Sequence, residues 1–177
     1  MKLEKTWDIF DSMYYGILQK KRKEKNRMIN VLMICHGNIC RSPMAEFVLK
    51  DIVKKRHLDS QFHIESAATS YEEIGNPVYP PARRELAKHG ISCEGKQARK
   101  LVKRDFQEFD YLIAMEEYNL RNIRREFGQE LAGQVKLLLD YTDEPGDIDD
   151  PWYTGNFTKT YEEIVKGCQG FLDYLMK

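Results

Sequence analysis

An apolar strand, a tight loop and a helix follow one another directly in this chain. The run Ile29–Ile34 is long and apolar enough for a buried strand, and the loop that starts at Cys35 contains a single glycine. Ser42 and Pro43 are typical start signals of a helix, which we expect to extend to about Arg56. A strand that passes into a helix in this way predicts one unit of a parallel α/β sheet.

Strand-like and helix-like segments continue to alternate through the rest of the chain. We expect further strands over 62–68, 111–114 and 135–139, and further helices over 83–89, 102–108, 117–127 and 158–177. Strands separated by helices predict a parallel sheet with right-handed crossovers. Ligands of such sheets bind beyond the carboxyl ends of the strands, and Cys35 stands at such an end.

The composition is that of one ordinary globular domain. The chain has 177 residues, 42% of them hydrophobic, and its 28 basic and 28 acidic residues give a net charge of zero. A nucleic-acid-binding protein would be strongly basic, so this class is disfavoured. The four cysteines lack paired metal spacing, and neither a bilayer-length apolar run nor a secretory pattern is visible. These features predict a reduced, cytoplasmic chain with no firm membrane association.

Residues 1–28 differ from the rest and predict an N-terminal extension. Apolar side chains recur there at helical spacing, at Trp7, Phe10, Tyr14 and Ile17. A basic run follows them before the first strand. We therefore expect an amphipathic helix plus a basic linker over 1–28 and a compact domain over 29–177. The extension is either weakly ordered or docks on the domain or on a second copy, which would allow self-association.

The loop between the first strand and the first helix is suited to hold a phosphate. Backbone N–H groups at a helix N-terminus point toward an anion, and curling loop amides add to them. Arg41 supplies a planar fork that matches phosphate oxygens, and the same positive field favours a thiolate at Cys35. Ser42 follows directly and can hydrogen-bond the sulfur. This combination predicts a nucleophile aimed at a bound phosphate, with a phosphocysteine intermediate.

A thiolate mechanism also needs an acid that protonates the leaving oxygen. Asp150 is the candidate, because Pro151 stiffens its loop and two aromatic residues, Trp152 and Tyr153, follow it. The loop around it is rich in other acids, which are ordinarily solvated. Only its pairing with the Cys35 loop distinguishes Asp150 from those neighbours.

Together these segments resemble the low-molecular-weight protein tyrosine phosphatase family. The resemblance rests on Cys35-His36-Gly37-Asn38-Ile39-Cys40-Arg41-Ser42-Pro43-Met44-Ala45-Glu46 and on Asp150-Pro151-Trp152-Tyr153. Segments between them also match, among them Ser66-Ala67-Ala68-Thr69-Ser70, Gly75-Asn76-Pro77 and Ala98-Arg99. The family implies a three-layer α/β/α fold of the flavodoxin-like, phosphotyrosine phosphatase I type, with a central four-stranded parallel sheet. It also implies no metal and no organic cofactor.

The resemblance further implies a role for each residue of the site. Cys35 would be the nucleophile, Arg41 the phosphate clamp, and Asp150 the acid that later serves as base. Phosphate binding and loop support would fall to His36, Gly37, Asn38, Ile39, Cys40, Ser42 and Ser66, with both serines among the partners of Asn38. Under peroxide Cys40 would form a disulfide with Cys35 and protect it from over-oxidation. Arg99 is expected to pair with Glu65 as a structural bridge.

The predicted substrate rim comprises Tyr71, Trp152 and Tyr153. Tyr71 is one position away from the rim aromatic of eukaryotic family members, and Glu72 and Glu73 follow it. The chain departs from the family at two further places. A histidine that some members carry before Ala98-Arg99 is missing, and Glu116 stands where an aspartate is common.

Several functions remain open at this point. We expect a protein tyrosine phosphatase whose partners are tyrosine-phosphorylated proteins or peptides, with inorganic phosphate or oxyanion inhibitors binding in the loop. The alternative is a protein arginine phosphatase of the same fold, which would carry a threonine where Ile39 stands. An arsenate reductase would need two further cysteines on a mobile segment. A non-catalytic phosphate-binding module would need neither a thiol nor an acid.

Overall fold

The computed structural model describes residues 27–177, and the predicted N-terminal helix and linker therefore lie almost entirely outside the described residues. The strands are β1 (Ile29–Cys35), β2 (Phe62–Ala68), β3 (Tyr111–Ala114) and β4 (Val135–Leu137). The helices are α1 (Arg41–Lys55), α2 (Pro80–Lys88), α3 (Asp105–Glu108), α4 (Glu117–Phe127), α5 (Gln129–Ala132), α6 (Pro151–Thr154) and α7 (Phe157–Leu175). Two 3₁₀ turns cover Asp59–Gln61 and Leu138–Tyr141.

The four strands form one parallel sheet in the order β2-β1-β3-β4. The chain leaves β1 toward β2 on one side and later returns to β3 on the other side of β1. The strand order therefore reverses at β1, and a parallel sheet leaves a crevice at the carboxyl end of such a strand. Cys35 is the last residue of β1, so it lies at this crevice.

Helices cover both faces of the sheet. Because side chains alternate along a strand, Val31 and Met33 face a core that includes residues of α1, α2 and α7. Leu32 and Ile34 face the opposite core, which residues of α3, α4 and α5 complete. This arrangement confirms the three-layer α/β/α fold with a four-stranded parallel sheet. None of the helices in residues 27–177 is long and apolar enough to cross a bilayer.

Some predicted boundaries were wrong by a few residues. Helix α1 begins at Arg41, because the N–H of Met44 already bonds the carbonyl of Cys40 at 3.1 Å. Helix α2 begins at Pro80, because consecutive prolines are compatible with the first helical positions. The fourth strand ends at Leu137, where a 3₁₀ turn replaces the predicted last two residues.

The remaining differences concern helix ends. Helix α3 covers only Asp105–Glu108, and α7 covers Phe157–Leu175. Helix α7 begins after Asn156, whose side chain caps it by accepting a hydrogen bond from the N–H of Lys159 at 3.0 Å.

Candidate active site

The loop after β1 and the turn before α6 meet in one cleft, although they are far apart in the chain. The cleft has a volume of about 250 Å³. Its lining residues are Cys35, His36, Gly37, Ile39, Cys40, Arg41, Glu72, Glu73, Asp150, Trp152 and Tyr153. The three residues predicted for the chemistry, Cys35, Arg41 and Asp150, therefore share one space.

Hydrogen-bonding groups of the loop surround the sulfur of Cys35. This buried side chain lies 3.0 Å from the hydroxyl oxygen of Ser42, and the backbone N–H of Asn38 donates to the sulfur at 3.3 Å. Ser42 lies in the first turn of α1, so the helix N-terminus also points at this region. These groups can stabilise negative charge on the sulfur.

Asn38 holds the loop in an unusual conformation. Its φ is 58°, in the left-handed region that asparagine tolerates better than most residues. Its side-chain oxygen accepts a hydrogen bond from the N–H of Arg99 at 3.0 Å, and its amide nitrogen donates to Ser42 and Ser66, each at 2.8 Å. The resemblance implied the two serines, and the backbone N–H of Arg99 is a further partner.

The contacts of Asn38 are compatible with a hydrogen bond that Ser42 donates to Cys35. The N–H of Arg99 is a donor only, so it identifies the oxygen end of the Asn38 amide, and the nitrogen end must donate to Ser42. Since the hydroxyl oxygen of Ser42 already accepts, its own hydrogen is available for the sulfur of Cys35.

A buried carboxylate supports the loop from behind, and the sequence interpretation gave it no role. The hydroxyl of Ser66 donates to Glu46 at 2.5 Å, and Glu46 also contacts the ammonium groups of Lys50 at 2.5 Å and Lys96 at 3.2 Å. Lys96 further donates to the carbonyl of Ser66 at 3.1 Å. Two cations thus balance the buried charge. The available signal was the position of Glu46, one helical turn after Ser42 on α1.

Arg41 is almost completely buried, with 2% of its surface exposed. Its guanidinium donates to Glu116 at 2.7 Å, to Asp150 at 2.6 Å and to the carbonyl of Ile148 at 3.2 Å. Burial lowers the pKa of Arg41, but the negative groups Cys35, Glu116 and Asp150 outweigh it and raise that pKa above its ordinary value. Arg41 is therefore a permanent positive charge at the base of the cleft.

Asp150 is the N-cap of α6. One carboxylate oxygen accepts from the N–H of Trp152 at 3.0 Å, and the other accepts from Arg41. Pro151 occupies the first helical position, where its fixed φ is compatible with a helix. The carboxylate therefore has a defined direction, toward the same cleft as Cys35.

The aromatic residues that follow Asp150 line the cleft and are exposed. Trp152 is 54% exposed, and its ring lies 5.1 Å from the ring of Tyr79. Tyr153 is 85% exposed. Ile39 adds a buried apolar surface to the cleft. The backbone N–H of Tyr79 donates a hydrogen bond to the carbonyl of Ile39 at 2.8 Å.

The structure places Tyr71 apart from the cleft lining. Its ring lies 4.8 Å from the ammonium nitrogen of Lys100, and the carboxylates Glu72 and Glu73 line the cleft instead. Glu72 lies 3.0 Å from Nε2 of His36, which connects this segment to the phosphate loop. The sequence interpretation noted both glutamates beside Tyr71 but did not include them in the site.

Two further predicted features have defined places. Cys40 is buried and lines the cleft, and burial, together with the charges of Cys35 and Asp150, raises the pKa of its thiol. Cys35 and Cys40 are both free thiols. Arg99 forms the expected bridge to Glu65 at 3.0 Å and a second one to Asp105 at 3.0 Å. Within residues 27–177 no group of three or more His, Cys, Asp or Glu side chains is arranged to hold a metal ion.

Comparisons with known proteins agree with this geometry. The profile of the family described as low molecular weight phosphotyrosine protein phosphatase matches residues 30–177. A protein-tyrosine-phosphatase of Bacillus subtilis, YfkJ, is 39% identical over 152 residues, which cover 85% of this chain and 97% of the relative. A low molecular weight phosphotyrosine protein phosphatase of Gallus gallus is 41% identical over 150 residues, which cover 81% of this chain and 94% of the relative.

Solved structures give the same result. The crystal structure of YfkJ superimposes with a TM-score of 0.81 at 38% identity and covers 84% of this chain and 95% of its own. The structure of DARP, a Drosophila arginine phosphatase, superimposes with a TM-score of 0.73 at 30% identity and covers 83% of this chain and 98% of its own. The family profile and the relatives span nearly the whole described part of the chain, and the chain therefore belongs to the low molecular weight phosphotyrosine protein phosphatase family.

Proposed function

We propose that this protein hydrolyses phosphotyrosine in proteins through a phosphocysteine intermediate. The observation that carries the proposal is the convergence of three groups with complementary chemistry in one cleft. Cys35 offers a nucleophile, Arg41 a permanent positive charge, and Asp150 a carboxyl group that can transfer a proton. Binding a phosphate requires only the second of these, so the presence of all three supports catalysis rather than binding alone.

In the first step the sulfur of Cys35 attacks phosphorus while the bond to the tyrosine oxygen breaks. Asp150, in its protonated form, gives its proton to that oxygen, so the leaving group departs as a neutral phenol. The guanidinium of Arg41 stabilises the charge on the three phosphoryl oxygens. Its hydrogen bond to Asp150 places acid and clamp side by side, and phosphate oxygens are an alternative acceptor for the same guanidinium.

In the second step water attacks the phosphocysteine. Asp150 is now ionised and accepts a proton from that water, the bond between sulfur and phosphorus breaks, and inorganic phosphate is released. The sulfur leaves as a thiolate. Ser42 supports this departure, because its hydroxyl hydrogen is available for the sulfur at an oxygen–sulfur distance of 3.0 Å.

The apolar walls favour phosphotyrosine over phosphoarginine as the substrate. Ile39, Trp152 and Tyr153 surround the path to Cys35 with apolar and aromatic surface, which suits a phenyl ring. The structural similarity to an arginine phosphatase keeps phosphoarginine as the competing candidate. Its guanidinium is polar, and a threonine in place of Ile39 would suit it better.

A panel of substrates tests the proposal. Purified protein is given phosphotyrosine, phosphoarginine and phosphoserine peptides of the same sequence, and released phosphate is measured. We expect the highest kcat/KM for phosphotyrosine and no turnover by Cys35→Ser. A higher kcat/KM for phosphoarginine would reverse the choice of substrate, and activity that survives in Cys35→Ser would refute the mechanism. Ile39→Thr is the informative variant, because it should raise kcat/KM for the phosphoarginine peptide relative to that for the phosphotyrosine peptide.

A further inference from the structure

The lining of the cleft combines exposed aromatic side chains, Trp152 and Tyr153, with two carboxylates, Glu72 and Glu73. We infer that Glu72 and Glu73 determine specificity and favour phosphotyrosine residues that have lysine or arginine as sequence neighbours. This inference rests on the proposed function, because it names the class of phosphotyrosine sequence that the same cleft accepts.

Both carboxylates are held at the mouth by neighbouring groups. The side chain of Glu72 is 71% exposed, yet its carboxylate lies 3.0 Å from Nε2 of His36 in the phosphate loop. The carboxylate of Glu73 accepts a hydrogen bond from Asn76 at 2.7 Å. A Cβ atom added at Gly37 would lie 3.3 Å from Cγ of Glu73, so this side chain packs directly on the phosphate loop. Both carboxylates therefore lie beside the phosphate loop, in the lining of the cleft.

The positive groups of the cleft do not cancel these charges at the mouth. Arg41 is 2% exposed and already contacts Glu116 and Asp150. His36 is the remaining basic residue among the lining residues, and it contacts Glu72. The ammonium group of Lys100, which lies near Tyr71, is outside the lining and pairs with Glu126 at 2.6 Å. The part of the lining that faces solvent next to His36 is therefore negatively charged.

The geometry of a peptide substrate brings its neighbouring residues to these carboxylates. A phosphotyrosine ring that reaches Cys35 leaves its backbone at the mouth of the cleft, whose lining includes Trp152 and Tyr153 as well as Glu72 and Glu73. Side chains next to the phosphotyrosine then lie close to the two glutamates. Lysine or arginine there is attracted and glutamate is repelled, with the moderate strength of solvent-exposed charges.

Charge-matched peptides test this inference. Three phosphotyrosine peptides of equal length carry lysine, alanine or glutamate on both sides of the phosphotyrosine, and kcat/KM is measured for each with wild type and with the Glu72→Gln/Glu73→Gln double variant. For wild type we expect kcat/KM to be about 5-fold to 20-fold higher for the lysine peptide than for the glutamate peptide, and raising the salt to about 0.5 M should reduce this ratio. In the double variant the ratio should fall below about 3-fold. Glu130→Gln, an exposed glutamate on α5, is the matched control and should keep the wild-type ratio.

Each outcome has a distinct meaning. Equal kcat/KM for the three peptides with wild type, a preference for the glutamate peptide, or a preference that the double variant retains would overturn this inference and leave the proposed function intact. If wild type hydrolyses none of the three peptides, the proposed function and this inference both fail. Because the ratio is measured within each variant, a general change in activity of the double variant does not affect the result.

Discussion

The guanidinium of Arg41 donates a hydrogen bond to the carboxylate of Asp150 at 2.6 Å. Arg41 lies in the first turn of α1, and Asp150 caps α6, so this contact joins the two segments that the proposed chemistry needs. It also keeps the proposed acid on the same side of the cleft as the phosphate clamp.

Replacement of Asp150 by asparagine should remove proton transfer and leave the cap of α6 largely intact. We expect kcat/KM, which covers only the steps up to release of the leaving group, to fall about 10²-fold to 10⁴-fold for phenyl phosphate, whose leaving group needs a proton. The loss should be much smaller for p-nitrophenyl phosphate, whose leaving group is stable as an anion. Asp149→Asn is the matched control, because Asp149 pairs with Lys159 on the protein surface. An equal loss for both substrates would contradict the assignment of Asp150 as the acid.

Asn38 should contribute to stability in two separable ways. Asn38→Ala removes three side-chain hydrogen bonds and leaves at a φ of 58° a side chain that cannot offset the strain of this conformation, which is about 1–2 kcal/mol. Asn38→Gly loses the same hydrogen bonds but adopts this φ without strain. Thermal unfolding should therefore give a lower Tm for the alanine variant than for the glycine variant.

Both Asn38 variants should also share one chemical defect. Without the amide, the hydroxyl of Ser42 is no longer directed to the sulfur, and alkylation of Cys35 by iodoacetate should slow equally in the two. If the alanine and glycine variants unfold at the same temperature, the strain at this position is not significant. An alkylation rate equal to wild type would refute the role of Asn38 in orienting Ser42.

Glu85 should make the stability of the protein depend on pH. Burial raises the pKa of Glu85, but hydrogen bonds from Lys88, Thr158 and His89 outweigh it and hold that pKa below its ordinary value. A carboxyl group with a lowered folded pKa stabilises the protein above its unfolded pKa of about 4.3. This contribution is lost as the pH falls through the folded pKa.

The measurement is urea unfolding of wild type and Glu85→Gln across acidic pH. At pH 7 the variant should be less stable by about 1–3 kcal/mol, because glutamine offers the partners of this buried carboxylate no charge and only one acceptor oxygen. The difference should shrink as the pH falls below about 4. Glu162→Gln on α7, an exposed glutamate, is the control and should match wild type. A difference that does not vary with pH would contradict the ionisation of Glu85 as its origin.

Cys40 should protect Cys35 from irreversible oxidation. Peroxide converts the Cys35 thiolate to a sulfenic acid, and the Cys40 thiol then attacks that sulfur, so that a disulfide forms and water leaves. Wild type treated with peroxide should regain most activity on reduction with a dithiol. Cys40→Ser should lose activity permanently, as Cys35 proceeds to the sulfinic acid. Cys93→Ser, another buried free cysteine, is the control; recovery of Cys40→Ser to the wild-type level would refute the disulfide.

Local patterns explain which parts of the molecule were predictable. The strand Tyr111–Ala114 and the helix Glu117–Phe127 have the predicted bounds, because an apolar run and a helical pattern that ends before Gly128 are short-range signals. The start of α2 was missed because Pro80 and Pro81 are compatible both with a loop and with a first helical turn. The end of β4 depends on the 3₁₀ turn after it, which has no distinctive sequence.

In the site, too, specific local motifs were predictable and contacts between distant segments were not. That Cys35, Arg41 and Asp150 share one cleft was predictable, because the motifs that contain them are specific. The contact between Glu46 and Lys96 was not, since it depends on how α1 packs beside the segment that carries Lys96. Tyr71 was predicted at the substrate rim, but Glu72 lines the cleft instead, and this too depends on packing between distant segments. After β2 the backbone N–H groups of residues 69 and 70 donate to the carbonyls of Cys35 and His36. These bonds fix the course of the backbone and thereby decide which of the following side chains lines the cleft.

Direct detection of the covalent intermediate is the most decisive measurement. Asp150→Asn should slow the second step, whereas p-nitrophenyl phosphate can still transfer its phosphoryl group to the variant, because its leaving group needs no proton. This variant mixed with p-nitrophenyl phosphate and quenched with acid should therefore leave a phosphoryl group on protein. Mass spectrometry of the digested protein should find it on the peptide that contains Cys35, and Cys35→Ser should carry none at that position. A phosphoryl group on another residue, or turnover with no phosphorylated protein at any quench time, would contradict the phosphocysteine mechanism.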